Sequence, residues 1–190
     1  MADLDPRTDQ ELVEAANRGD GAAFDALYRR YRDWVVSLAW RFTGNREDAL
    51  DVLQETFTYL LRKFPSGGAS AQVPGFRLTA GMKTFLYTAV RNRSIDLRRR
   101  RVRNTPGDDP LAELPAPPSP SADAQRSDLA DALAGLSEPH REILLMRFAD
   151  DMTLAEIASA LDIPLGTVKS RLHSAIEAIR SSPRTRDYFQ

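Results

Sequence analysis

Three carboxylates, Asp48, Asp51 and Glu55, fall at i, i+3 and i+7 of a helical stretch and share one face, with Gln54 beside them. Three acids on one face are raw material for a metal site, but no His is near, and a solvated face is the commoner fate. A second concentration has the opposite sign. Residues 82–103 hold Lys83, Arg91, Arg93, Arg98, Arg99, Arg100, Arg101 and Arg103 against one acid, Asp96. No carboxylates separate the four consecutive arginines. A focused cationic block inside a chain of net charge −1 points to an anionic partner, most commonly a phosphate backbone. A solvated helix face is the alternative.

The third constellation is near the C-terminus. Thr153 to Leu161 is a short amphipathic stretch that Thr153 and Glu156 can cap as a box. Asp162-Ile163-Pro164-Leu165 then makes a tight turn, and Gly166 starts a further helix reaching about Arg180. Ile157, Leu161, Val168, Leu172 and Ile176 supply a shared core, and Ala158 lies where the two helices approach closely. The pattern is a helix-turn-helix, whose second helix enters the major groove. It leaves Thr167, Lys169, Ser170, Arg171 and His173 outward, a set of phosphate and base-edge donors. An ordinary helix pair with a polar outer face has the same spacing.

The elements that must hold these groups are helical almost throughout. Thr8 and Glu11 form a capping box for a first helix ending near Gly19. A second carries Phe24, Leu27, Tyr28, Tyr31, Val35, Leu38 and Phe42 at steps of three and four, and Gly44 stops it. Asn45 caps a third, with the stripe Ala49, Val52, Leu53, Phe57, Leu60, Leu61 and Phe64. A Gly/Ser/Ala stretch follows Pro65, and a fourth helix runs from Met82 through Phe85, Leu86, Ala89, Val90 and Leu97 into the arginines. Strand patterns are absent, so the fold is expected to be all-α. Six prolines between Pro106 and Pro120 mark an extended linker. The expected organisation is therefore a helical bundle over 8–103, an acidic Pro-rich tether over 104–126, and a second helical domain over 127–182.

Composition bounds the rest. The chain has 190 residues, 42% hydrophobic and 28% charged, with no Cys, so disulfides, thiolate metal sites and Cys nucleophiles are excluded. No apolar run would span a bilayer, and Met1-Ala2-Asp3-Leu4-Asp5 is not a secretory signal, so the expected compartment is the cytoplasm.

Leu136 to Arg180, with Leu-Ser-Glu-Pro-His-Arg-Glu-Ile-Leu-Leu-Met-Arg-Phe, Thr-Leu-Ala-Glu-Ile-Ala and Ile-Pro-Leu-Gly-Thr-Val-Lys-Ser-Arg-Leu, closely resembles region 4 of bacterial sigma factors. The Gly-Thr-Val-Lys-Ser-Arg string is characteristic of the extracytoplasmic-function group. Asp48 to Phe57 resembles region 2.2 of that group, and Phe85 to Arg99 resembles regions 2.3 to 2.4. The three matches stand in family order and spacing.

The resemblance implies two small helical domains, sigma region 2 and a region 4 helix-turn-helix. It implies docking on core RNA polymerase, through the largest-subunit coiled coil and the flap, with Asp51, Gln54 and Glu55 as contacts and Asp48 at the rim. It implies recognition of the start-site-proximal (−10) promoter element by Phe76, Arg77, Lys83, Tyr87, Arg91, Asn92, Arg93, Asp96, Arg98 and Arg99. Phe76 and Tyr87 would stack on bases, Phe64 and Phe85 would be core, and residues 66–81 would form the specificity loop. Asp96 has an alternative use as intrahelical partner of Arg93 or Arg99. The upstream (−35) element would be met by Arg147, Thr153, Gly166, Thr167, Lys169, Ser170, Arg171 and His173. Trp34 and Trp40 are expected in the core or as interface anchors, and His140 has no assigned role. The partners are core polymerase and promoter DNA; the family admits an anti-sigma factor, which the sequence does not name. No cofactor, metal, membrane or small-molecule substrate is expected, and the chain is not expected to be an enzyme. Two rivals differ in kind: a stand-alone dimeric helix-turn-helix regulator, and a metal-dependent nuclease built on Asp48, Asp51 and Glu55.

Overall fold

The computed structural model describes residues 5–65, 75–104 and 130–183, and every regular element in them is helical. The chain divides into two units, 1–112 and 113–190. Residues 105–126 of the expected linker, the helix start at 127–129 and loop residues 66–74 lie outside the described residues, while Asn104, expected to open the linker, is helical.

In the first unit, α1 (Asp9–Asn17) opens on the expected capping box. The Thr8 hydroxyl accepts from the Glu11 N–H at 3.3 Å, and the Glu11 carboxylate accepts from the Thr8 N–H at 2.7 Å. Such caps contribute about 1 kcal/mol. Helix α2 (Gly21–Thr43) is capped by Asp20 and stopped at Gly44, whose φ of 67° suits a residue without a Cβ. Helix α3 (Arg46–Leu61) begins at Asn45, which accepts from the Glu47 N–H at 2.8 Å. Helix α4 spans Met82–Asn104. The central α2 packs against the other three helices; its Leu27, Val35, Leu38 and Ala39 are buried, as are Leu12, Val52, Leu60, Leu86 and Val90 on those helices. Leu61, expected on the inward stripe, is instead 53% exposed, because it follows buried Leu60 directly and faces away from it. Trp34 meets Tyr31 edge-on, while Trp40 is exposed. Charge fixes α1 on α2: Arg30 donates to Asp9 at 2.6 Å and to the carbonyls of Asp5 and Arg7, and the Tyr31 hydroxyl donates to Asp9.

In the second unit, residues 130–134 are helical. Helix α5 (Glu138–Leu144) has Pro139 in its first turn, where its missing N–H costs nothing, and runs into a π-helical turn at Leu145–Ala149. Helices α6 (Leu154–Leu161) and α7 (Leu165–Ser181) follow. Arg141 ties the start together, donating to the carbonyls of Leu133, Ala134 and Leu136 at 2.7–3.0 Å. Ile143, Met146, Met152, Ile157 and Val168 are fully buried. Phe148, in the π-helical turn, is 66% exposed. It lines an apolar groove together with Leu144 and Leu145.

Candidate nucleic-acid interfaces

On the first unit, α3 and α4 meet through charge. Arg93 approaches Glu55 at 3.5 Å and Arg100 approaches it at 3.8 Å, while Arg101 donates to Asp48. The arginine run, without acids of its own, thus takes them from the neighbouring helix. Asp48 is 4% exposed, which corrects the expectation that it stands at a contact rim. Its burial pushes its carboxyl above the ordinary value although Arg101 pulls the other way, and Asp51 and Glu47 add to the rise. Asp51 and Gln54 are exposed, leaving them with half-exposed Glu55 as the accessible acidic and amide face of α3.

A cleft of about 310 Å³ lies along this contact, lined by Gln54, Glu55, Thr58, Tyr59, Arg62, Arg93 and Arg100. The Arg93 guanidinium and the Lys63 ammonium lie over the Tyr59 ring at 5.1 and 4.7 Å. Tyr59 stacks on Phe85 at 6.0 Å, Phe85 meets Phe76 at 4.9 Å, and Phe76 is edge-on to Phe64 at 5.6 Å. Phe85 is therefore half-buried in an aromatic row rather than core, and Phe76 belongs to the same row. Tyr87 corrects a second expectation: it is 2% exposed, edge-on to Phe42, and offers no ring face to a base. Arg77, Arg91, Asn92, Asp96 and Arg99 are exposed, and Lys83 and Arg98 are half-buried. Asp96 forms no ion pair among the described residues, since Arg93 turns to Glu55 instead. Asp48 and Glu55 are each committed to arginines, and no three acidic or histidine side chains among the described residues gather as a metal-ligand set. That arrangement does not favour the nuclease reading.

On the second unit, α6 and α7 take the helix-turn-helix form. Thr153 caps α6 by the expected box, so its hydroxyl is already engaged with Glu156. Asp162 closes α6 at φ 53°, a left-handed conformation that a short polar side chain tolerates, and Pro164 leads into α7. Val168, Ala175 and Ile179 bury one face of α7, which leaves Gly166, Lys169, Ser170 and His173 exposed and Thr167 and Arg171 half-buried. A Cβ added at Gly166 would meet nothing within 4 Å, so no packing inside the unit demands glycine there. Arg147 donates to the Met152 carbonyl at 3.0 Å and braces the approach to α6.

Residues 27–104 match the Sigma-70 region 2 family and residues 132–181 match Sigma-70 region 4. The chain is 37% identical over 172 residues to the ECF RNA polymerase sigma factor SigL of Mycobacterium tuberculosis, covering 88% of this chain and 93% of that one. The chain belongs to the ECF sigma factors of RNA polymerase. Another member, SigW of Bacillus subtilis, is 27% identical over 189 residues, covering 92% of this chain and 96% of the relative. Two solved structures share the fold. CnrH, in complex with the cytosolic domain of CnrY, aligns with a TM-score of 0.61 at 21% identity, covering 90% of this sigma factor and 93% of that chain. The sigma factor RpoE of Bartonella quintana, in complex with the anti-sigma factor NepR, aligns with a TM-score of 0.59 at 21% identity, covering 83% and 94%.

Within this sigma factor, sequence reasoning did not single out Tyr59, Arg62 or the use of Arg100 and Arg101 as ion-pair partners. Tyr59 and Lys63, at i and i+4, were within reach of helical spacing. The pairing of Glu55 with Arg93 and Arg100 joins residues of separate helices and has no local signal. No helix among the described residues is long and apolar enough to cross a membrane.

Proposed function

We propose that this sigma factor docks on core RNA polymerase through Asp51, Gln54 and Glu55, and that the two units then engage one promoter at separate elements. Arg77, Lys83, Arg91, Asn92, Arg93, Arg98 and Arg99 hold the opened −10 strand, by cations along its backbone, with Phe76 placed by the aromatic row. The N-terminal turns of α7 enter the major groove at the −35 element, where Lys169, Ser170, Arg171 and His173 meet phosphates and base edges. Gly166, with open space around it, lets the backbone approach DNA closely. The observation that carries this reading is the exposed polar row of α7, set on a helix whose opposite face is buried by α6 and α5. The chain makes and breaks no bond itself; it directs polymerase, and its place of action is the cytoplasm.

An apolar groove of about 500 Å³ in the second unit, lined by Leu133, Leu144, Leu145, Phe148, Ile176 and Ile179 among others, suits a partner helix. The polymerase flap and an anti-sigma factor are its expected occupants; the Bartonella relative is bound to such a factor.

The test is transcription from a genomic promoter library by core polymerase loaded with the full chain. The parent is expected to drive a distinct promoter set. Simultaneous alanine substitution of Asp51, Gln54 and Glu55 should abolish capture of polymerase while leaving binding of duplex DNA at low salt. A parent that binds DNA but never associates with core polymerase would refute the proposal.

A further inference from the structure

We infer that Asn17, the last residue of α1, is a positioning residue that latches the loop carrying Phe76 and thereby sets base selection at the −10 element. The inference rests on the proposed −10 role of that loop. It comes from a contact spanning 59 residues of sequence: the Asn17 Nδ2 donates to the Phe76 carbonyl at 2.8 Å, and the Phe76 N–H donates to Asn17 Oδ1 at 2.9 Å. One side-chain amide thus satisfies both backbone groups of a loop residue, as a neighbouring strand would. Only an amide can do this. An Asp of the same size would lose the donor and set a negative charge against the carbonyl.

Gly75 completes the fit. A Cβ there would lie 2.7 Å from both Cγ and Oδ1 of Asn17, closer than any real side chain tolerates, so the amide and the missing Cβ are matched. The post carrying the latch is itself fixed, since α1 is mounted on α2 by Arg30, Asp9 and Tyr31. What the latch holds is the end of the aromatic row: Phe76 against Phe64 and Phe85, and Phe85 on Tyr59 beside the Arg93 guanidinium. A loop released at Phe76 would let that ring, and whatever base it borders, sample several positions. Asn17 precedes residue 27, where the region 2 match begins, so the latch is a feature of this chain that the match does not include.

Two measurements on the full chain test it. The first is hydrogen exchange at the Phe76 amide, expected to be protected in the parent and to lose protection in Asn17→Ala and Asn17→Asp. The second is transcription by the loaded polymerase on duplexes randomised across the −10 element, read as the ratio of preferred to other bases. Both variants should lower that ratio about tenfold, as expected for two hydrogen bonds of modest net strength, with polymerase affinity unchanged. Gly75→Ala should do the same by pushing the amide away. Combining it with Asn17→Ala should be no worse than either change alone, because the smaller residue makes room for the methyl. An unprotected Phe76 amide in the parent overturns the latch whatever the DNA result. A protected amide in a parent without base preference defeats the −10 reading and the selectivity half of the inference, leaving a purely structural contact. A parent whose preference survives both Asn17 variants overturns the inference while the −10 reading stands.

Discussion

The two units treat their cations differently. In the first, Arg93, Arg100 and Arg101 are answered by Glu55 and Asp48 across the α3–α4 contact. In the second, Lys169 and Arg171 of α7 form no ion pair among the described residues. A cationic face with internal counter-ions must exchange them for phosphate, so part of each new contact is offset by the old one lost. An open face gains the full attraction. On the proposed reading the second unit is the readier duplex reader, while Arg93 and Arg100 of the first are held in check by the same Glu55 that is proposed to meet polymerase.

The largest effect should come from separating the units. Ile157→Ala and Leu86→Ala each empty a fully buried site and should cost about 2–5 kcal/mol. Denaturant unfolding followed by helical signal should show the loss of stability; in binding assays, Ile157→Ala should weaken duplex binding and spare polymerase capture, and Leu86→Ala should do the reverse. Loss of both functions in either variant breaks the division of labour.

Next is the open face. Replacing Lys169 and Arg171 together by Ala should weaken duplex binding by roughly ten- to a hundredfold at low salt. The dependence of log affinity on log salt should become shallower by about two. Anisotropy titrations over a salt series would show it, and an unchanged slope would mean that α7 does not touch the backbone.

Glu55→Gln is a smaller change with a distinctive sign. It should raise the affinity of the free chain for single-stranded DNA a few-fold, by releasing Arg93 and Arg100, and lower polymerase affinity, each by the modest amount expected of surface ion pairs. Movement of both affinities in one direction would remove Glu55 from its shared role.

Asp48→Asn should be smallest, neutral to stabilising within about 1 kcal/mol, because the change removes a charge that burial disfavours and Arg101 remains solvated. The sign with pH follows. A raised folded-state value means that the Asp48 contribution is present in acid and lost as pH rises through that value. Asp5 behaves oppositely. Arg7 holds its carboxyl down to about 2, so its contribution is present above the ordinary 3.8 and lost as pH falls toward 2. Acid titration of the parent against Asp48→Asn should separate the two.

Much of this architecture was legible because its signals are local. The capping boxes at Thr8 and Thr153, the stop at Gly44 and the stripe from Leu27 to Phe42 are all written within one or two helical turns. The outward row of α7 was legible for the same reason. What stayed hidden depends on partners distant in sequence. Nothing near Asp48 reveals that Arg101 covers it, and nothing near Tyr87 reveals the Phe42 ring that encloses it. The π-helical turn at Leu145–Ala149 stayed hidden for a local reason, since helical periodicity assumes a pitch that the chain abandons there.

That change of pitch has a consequence for chain length. The turn at Leu145–Ala149 holds a surplus residue relative to ordinary α-helix, and Leu145, Phe148 and Ala149 of that turn line the apolar groove. Deleting Arg147, which does not line the groove, would rewind the segment to the α-helical pitch and shift Phe148 relative to Leu144 while keeping every lining residue in the chain.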